Sequence, residues 1–211
     1  MPPKLKTDAE RQQLRNLIID NARELFISRG AQAVTMREIA KRIGYSATSI
    51  YHHFEDKESL IRAICDTDFL ALASSLKAVL QLPHPVERML ALCSGYAAFA
   101  LSHPNHYRLR FMTDHPPIDP VLSSLKQKNV EQVAYFQLKS VVKRVYDAGY
   151  FRPNLYDVDL IAQTIWAAIH GVCSLQITMA QDTWVKWANI SARLDLMQQM
   201  ITHGLLKDGV E

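Results

Sequence analysis

Small polar and basic side chains cluster between Thr35 and Phe54, in a segment that reads TMREIAKRIGYSATSIYHHF. Hydroxyl and imidazole groups such as Thr48, Ser49 and His52 form hydrogen bonds with the edges of nucleic-acid bases and with phosphate oxygens. Positive charge lies beside them in the sequence, at Arg37, Lys41 and Arg42. These residue types indicate recognition of nucleic acid, provided that the fold presents them on one surface.

Two short helices are predicted to position these side chains. Thr35 and Glu38 have the spacing of a capping box, in which each side chain bonds to the backbone N–H of the other. Gly44 ends this helix, and Ser46 caps a second helix that runs through His52. Two helices joined by a short turn containing glycine are the signature of a helix-turn-helix, whose second helix enters the DNA major groove. The alternative is a solvated helical hairpin in an all-helical protein.

A longer helix precedes this motif. Thr7 and Glu10 form a second capping box, apolar residues then recur every three or four positions, and Gly30 ends the helix. We expect the helix to cover the backs of the next two. Residues 1–6 are either a solubilising tail or an arm that touches DNA through Lys4 and Lys6.

A fourth helix is predicted to begin after Asp56 and to continue to about residue 80. Lys57 is unusual there, because a cation at a helix start is unfavourable unless an anion lies nearby. A DNA phosphate would supply that anion, and a solvated lysine is the alternative.

The complete pattern resembles the TetR/AcrR family of bacterial one-component regulators over residues 10–65. The resemblance rests on the helix ending at Gly30, on Thr35-x-x-Glu-Ile-Ala, and on Tyr51-x-His-Phe-x-x-Lys57-x-x-Leu. It implies a recognition helix over 46–52, phosphate contacts from Tyr51 and Lys57, and a backbone contact from Thr35, with His53 supporting the domain. The DNA-binding residues so predicted are Thr35, Arg37, Ser46, Ala47, Thr48, Ser49, Tyr51, His52 and Lys57.

Composition agrees with a cytoplasmic DNA-binding protein. The 211 residues carry a net charge of +3, and residues 1–65 supply all of it, with 11 Lys+Arg against 8 Asp+Glu. The N-terminus lacks an apolar signal segment, and no uninterrupted apolar stretch approaches the ~20 residues of a membrane span. Three widely spaced cysteines, Cys65, Cys93 and Cys173, are expected to be reduced and buried.

We expect an all-α protein with two domains: a helix-turn-helix domain over 1–66 and a larger helical domain over 67–211. Helices of the second domain are predicted at about 86–102, 121–148, 158–179 and 184–206, with a short basic-aromatic helix after Pro104. His115 to Pro120 form a stiff loop.

The last two helices carry apolar stripes that either fill the core or pair with a second copy. One stripe contains Ile161, Ile165, Ala168, Ile169 and Val172, and the other contains Leu194, Met197, Met200 and Ile201. One recognition helix reads only a few base pairs, whereas a two-fold dimer reaches two half-sites of a palindromic operator. This geometry, and the resemblance, favour a homodimer through helices 158–179 and 184–206.

Trp166 and His170 lie one turn apart in the sequence of the second domain and precede Gly171. Together with the segment GYFRP at 149–153 they resemble a C-terminal subgroup of the family that is named for its tryptophan, histidine and glycine. They are either core residues or part of a largely apolar effector pocket. The pocket candidates are Tyr96, Phe99, Tyr107, Phe111, Trp166 and His170.

Other functions have weaker support in the sequence. The chain lacks a Gly-rich phosphate loop, a Gly-x-Ser-x-Gly elbow and a Cys-x-x-Cys pair, which disfavours an enzyme. His103, His106 and His115 could bind zinc or nickel, but a proline interrupts them. A thiol sensor and a helical adaptor that never binds DNA are further alternatives. We expect a ligand-released homodimeric repressor without a cofactor, although activation remains open.

Overall fold

The computed structural model describes residues 7–112 and 134–210, apart from the side chain of Phe69. The described chain is helical, with one isolated antiparallel bridge between Phe151 and Leu206. Its helices are α1 (Asp8–Arg29), α2 (Met36–Arg42), α3 (Ala47–Tyr51), α4 (Lys57–Ser75), α5 (Pro85–Ser102), α6 (Pro104–Phe111), α7 (Ala134–Asp147), α8 (Val158–Met179) and α9 (Ile190–Leu205). The prediction of an all-α fold is confirmed.

The described residues form two compact units. The first contains residues 7–68 and 105–112, and the second contains residues 69–104 and 134–210. The sequence-based boundary at residue 66 assigns α6 to the second domain, whereas contacts group most of α6 with the first unit. Leu109 of α6 is buried in the core of that unit. His106 contributes a polar contact, because its Nδ1 lies 3.2 Å from the carboxylate of Asp68.

The first unit is organised around α1. Thr7 caps this helix through the predicted capping box with Glu10, and Gly30 ends it with φ at 80°. Leucine, isoleucine and phenylalanine side chains of α1 form one buried face, which packs with apolar residues of α2, α3 and α4. In the core that these helices form, the side chains of Ile18, Ile39, Ile50 and Leu60 are fully buried. This core fixes α2 and α3 against α1, as expected from the sequence.

The core of the second unit is formed by α5, α7, α8 and α9. Ile161, Ile165 and Ile169 of α8 are buried in it, together with Met197 and Ile201 of α9. The core interpretation is therefore right for these members of the two stripes. The large apolar residues that are exposed on the same helices are Leu160, Leu175, Leu196 and Met200, and Ala168 of the first stripe is exposed as well.

Several helix boundaries differ from the prediction. Helix α4 ends at Ser75 and is followed by a short 3₁₀ turn over Val79–Gln81, rather than continuing to residue 80. Helix α9 begins at Ile190 rather than at residue 184, because the Asn189 side chain accepts the Ser191 N–H and starts the helix there. The proline-rich loop at 115–120 and the first part of the predicted helix 121–148 lie outside the described residues.

Candidate nucleic-acid interface

Helix α2 begins with the capping box predicted from the sequence. The Thr35 N–H donates to Glu38 Oε2 at 2.8 Å, and the Glu38 N–H donates to Thr35 Oγ1 at 3.2 Å. Arg29 of α1 lies 2.8 Å from the same carboxylate. The backbone N–H of Thr35, followed by Arg29, lowers the pKa of Glu38 to about 2. The carboxylate is therefore ionised at neutral pH and holds the start of α2 close to the end of α1.

The turn between α2 and α3 depends on Gly44. Its φ of 73° lies in the left-handed region, which glycine adopts without a steric penalty. Ser46 then caps α3 by accepting the Ser49 N–H at 3.2 Å, and the two serine hydroxyls lie 2.9 Å apart. These local bonds define the direction in which α3 leaves the turn, and they occupy both serine side chains.

Long side chains tie α3 and its end to α1. The Arg15 guanidinium donates to the His53 carbonyl oxygen at 3.3 Å and lies over the Phe54 ring, 4.4 Å from its centroid. Burial lowers the pKa of Arg15. The Ile50 side chain is fully buried in the core that α1, α2 and α4 share with α3. The helix is thus fixed on its inner face, and its outer face is left for contacts with another molecule.

Three side chains form the outer face of α3. Thr48, Tyr51 and His52 are exposed, and Tyr51 is 52% exposed. Their spacing of three and four residues puts them on one side of the helix. Among the described residues, none of the three has a hydrogen-bond partner or an ion pair. They are the groups of α3 that can contact base edges and phosphates without first breaking a bond.

Two cations on α2 can also contact DNA without first breaking a bond. Arg37 and Lys41 are exposed, lie one turn apart, and form no ion pair with any described carboxylate. Arg42, which the sequence analysis grouped with them, behaves differently. Its guanidinium pairs with Glu24 and donates to Asn21 at 3.0 Å, so its charge is used to fasten α2 to α1.

Lys57 has a structural role that its position in the sequence did not reveal. Its ammonium group donates to the backbone carbonyl oxygens of Ala31 at 3.1 Å and Val34 at 3.4 Å. These two carbonyls belong to the turn between α1 and α2. A lysine ammonium has three N–H donors, so one remains for the predicted phosphate contact.

The other predicted DNA-contact residues differ in exposure and in how many of their hydrogen-bonding groups are already used. The N–H and the hydroxyl of Thr35 both donate to Glu38, and Ala47 is half-buried. Tyr45, which was not among the predicted contacts, is 41% exposed between Gly44 and Ser46. The sequence did not single out Tyr45, because its neighbours Gly44 and Ser46 predict only the backbone conformation of the turn and the start of α3.

The second unit brings together three of the six predicted effector-pocket residues. The Tyr96 hydroxyl lies 3.1 Å from His170 Nδ1, and the Trp166 ring lies edge-on to His170 with centroids 6.2 Å apart. Burial lowers the pKa of His170, so its imidazole is neutral at pH 7. Tyr135, whose ring centroid is 5.7 Å from that of Trp166, extends this group and was missed by the sequence analysis.

The other three pocket candidates make different ring contacts. Phe99 belongs to the second unit and stacks on His103 with centroids 4.5 Å apart. Tyr107 and Phe111 belong to the first unit, where their ring centroids are 4.8 Å apart. The six candidates therefore do not form one group within either unit.

The cysteines are free and buried, as predicted. Burial raises the pKa of Cys65 and Cys173 to about 11 and that of Cys93 to about 12. At neutral pH these thiols are protonated, which makes them poor nucleophiles. Among the described residues, no cluster of three histidine, cysteine or acidic side chains could hold a metal ion. His115 lies outside the described residues.

Known proteins match both parts of the chain. Residues 18–64 match the family model described as bacterial regulatory proteins of the tetR family, and residues 89–186 match a tetracyclin repressor-like C-terminal domain. The HTH-type transcriptional repressor KstR2 of Mycobacterium tuberculosis is 30% identical over 166 residues, which cover 74% of this chain and 79% of that protein.

Solved structures show the same fold. A protein of unknown function from Rhodococcus sp. RHA1 has a TM-score of 0.74 at 22% identity, and the match covers 98% of this chain and 100% of that chain. The complex of SmeT with triclosan has a TM-score of 0.67 at 20% identity and covers 95% of both chains. SmeT is the repressor of a multidrug efflux pump of Stenotrophomonas maltophilia.

These matches confirm the resemblance noted in the helix-turn-helix segment, and the matched family and relatives are transcriptional regulators rather than enzymes. The Trp-His-Gly subgroup stays a prediction, because the C-terminal match is to the broader repressor-like domain. The chain belongs to the TetR family of bacterial helix-turn-helix transcriptional regulators.

Proposed function

We propose that the protein is a cytoplasmic homodimeric repressor that binds a palindromic operator and releases it when a small molecule binds the second unit. The observation that carries the DNA-binding part is a set of groups on α2 and α3 that have no partner among the described residues. Thr48, Tyr51 and His52 face outward from α3, and Arg37 and Lys41 lie exposed on α2. Hydroxyl and imidazole groups read base edges in the major groove, while the two cations neutralise phosphates.

The exposed apolar surface of α8 and α9 supports the dimer. Leu160 and Leu175 lie exposed on α8, and Leu196 and Met200 lie exposed on α9. Helix α8 is long and apolar enough to cross a membrane by length and composition, yet only 33% of its apolar window is buried within the protomer. Gly171 and the small residues Ala167 and Ala168, one turn before it on this helix, allow a partner helix to approach closely. A second copy of the same two helices would cover this surface and give the two-fold symmetry that a palindrome requires.

The group formed by Tyr96, His170 and Trp166 supports an effector site in the second unit. A neutral imidazole bonded to a phenol beside an indole ring gives a mostly apolar environment with few polar groups, as in small-molecule sites. SmeT, whose fold this chain shares, was solved with the small molecule triclosan. We propose that an effector at this group shifts α4, whose residues belong to both units, and changes the separation of the two recognition helices.

The DNA-binding proposal is tested by comparing two arginine variants of the same helix. Arg37→Gln removes an unpartnered cation, so we expect weaker binding to all DNA sequences and a salt slope smaller by about 1. Arg42→Gln is the matched control, because it removes the same charge from a side chain that is paired with Glu24. Fluorescence anisotropy with labelled duplexes at several salt concentrations gives both slopes. Equal effects of the two variants would contradict the assignment.

The release mechanism requires an effector that favours one arrangement of the dimer over the other, since equal affinity for both would shift no equilibrium. Compounds that bind the purified dimer should weaken operator binding. Tyr96→Phe removes the hydroxyl bonded to His170 and should reduce compound binding while leaving the affinity of the empty dimer for DNA unchanged. A compound that binds tightly and leaves operator affinity unchanged would refute ligand release.

A further inference from the structure

A cleft of about 430 Å³ lies in the second unit. Tyr96 and His170 are not among the described residues that line it. Its walls come from α5, α7 and the 3₁₀ turn over Val79–Gln81. Leu80, Phe136 and Val141 supply apolar surface, and Phe136 is 43% exposed. The lining also contains Arg88, Arg144, Gln137, Ser140 and Gln81, and none of the described residues that line it carries a carboxylate.

Arg88 is the most informative residue of this cleft. It is only 9% exposed, although it is cationic and lies in the apolar helix α5. Its Nε donates to the Leu82 carbonyl oxygen at 2.8 Å, and its Nη2 donates to the same oxygen. Among the described residues it has no acidic partner. A buried charge without a counter-ion is unfavourable, because it loses hydration without gaining an opposite charge.

Two further polar side chains of the lining are Arg144 and Gln137. Arg144 of α7 is exposed and forms no ion pair with a described carboxylate, so a second guanidinium adds to the positive potential of the cleft. Gln137 is 5% exposed, and its Nε2 donates to the Ala73 carbonyl oxygen at 3.2 Å, which fixes the orientation of the amide. Its Oε1 is buried without a hydrogen-bond partner. The cleft therefore contains two cations that no described carboxylate compensates, beside an amide that is held in place by the backbone.

We propose that this cleft binds an amphipathic organic anion. The acidic group of the ligand, a carboxylate or an equivalent oxyanion, pairs with Arg88 and Arg144, since guanidinium groups match such oxyanions in shape and charge. The apolar body of the ligand lies against Leu80, Phe136 and Val141. The volume is within the range of ~300–1,000 Å³ for small-molecule sites. This proposal depends neither on DNA binding nor on dimerisation.

A matched pair of fluorescent probes tests the proposal. The anion 8-anilinonaphthalene-1-sulfonate and the uncharged N-phenyl-1-naphthylamine share an aromatic body and an N–H group, and differ in the sulfonate. Wild-type protein is titrated with each at pH 7. For Arg144→Gln we expect the affinity for the anionic probe to fall about tenfold, which corresponds to ~1.4 kcal/mol. The affinity for the uncharged probe should stay within twofold.

Lys143→Gln is the control variant. Lys143 neighbours Arg144 on α7 and loses the same charge, but it pairs with Asp147 and does not line the cleft. It should bind both probes as the wild type does. Arg88→Met should reproduce the loss of the anionic probe, and thermal unfolding shows whether that variant is folded; if it is not, Arg144→Gln decides. The proposal is overturned if Arg144→Gln binds the anionic probe as tightly as Lys143→Gln, or if it loses both probes equally.

Discussion

Leu196 offers a quantitative test of the proposed dimer, because its contribution can be estimated from its exposure. Leu196→Ala removes three carbon atoms from a side chain that is 58% exposed in the protomer. Burying one such group stabilises by ~0.8 kcal/mol, so three groups at that exposure give about 1.4 kcal/mol if the partner covers them. Two-fold symmetry doubles the loss to about 2.8 kcal/mol, and the dissociation constant of the dimer should rise about 100-fold.

Sedimentation velocity over a concentration series measures this constant directly. Leu17→Ala is the matched control, since Leu17 is 42% exposed on α1 and lies outside the proposed dimer surface. The control should dimerise as the wild type does. A change of less than threefold for Leu196→Ala, or an equal change for both variants, would refute the assignment of this surface.

Two further predictions concern the helix-turn-helix. Lys57→Met leaves the carbonyls of Ala31 and Val34 without their donor, so we expect a loss of about 1 kcal/mol in the free energy of unfolding, measured in urea, as well as weaker DNA binding. Unchanged stability would mean that the lysine serves only phosphate. The pKa of Glu38 falls from 4.5 to about 2 on folding. The ionised carboxylate therefore stabilises the folded state above pH 4.5, and this contribution is lost as the pH falls toward 2. The stability difference between wild type and Glu38→Gln should shrink over that interval; a constant difference would contradict this.

Local hydrogen bonds were predictable because they depend on residues three positions apart. The capping boxes at Thr7 and Thr35 form as predicted, and α8 has the predicted bounds of 158 and 179. The family was evident from the same short-range signals, since the turn glycine and the helix caps lie within twenty residues.

Tertiary pairing was not predictable from such signals. Arg37 and Arg42 are similar in the sequence, but Arg42 meets Glu24, which lies 18 residues away on another helix. Lys57 reaches carbonyls 23 and 26 residues before it, so its structural role is invisible in a local pattern. Periodicity also could not separate the buried residues of α8 from its exposed residues, because Leu160, Ala168 and Leu175 are apolar and nevertheless exposed.

We propose that α3 reads DNA as part of a two-fold dimer. Selection of bound fragments from a random double-stranded pool, at about 0.15 M salt and followed by sequencing, tests it most directly. We expect an inverted repeat whose half-sites are separated by about one helical turn, and an altered base preference for His52→Ala at one position of each half-site. Failure to enrich any sequence with ligand-free protein, or enrichment of a single unrepeated site, would contradict operator recognition by a two-fold dimer.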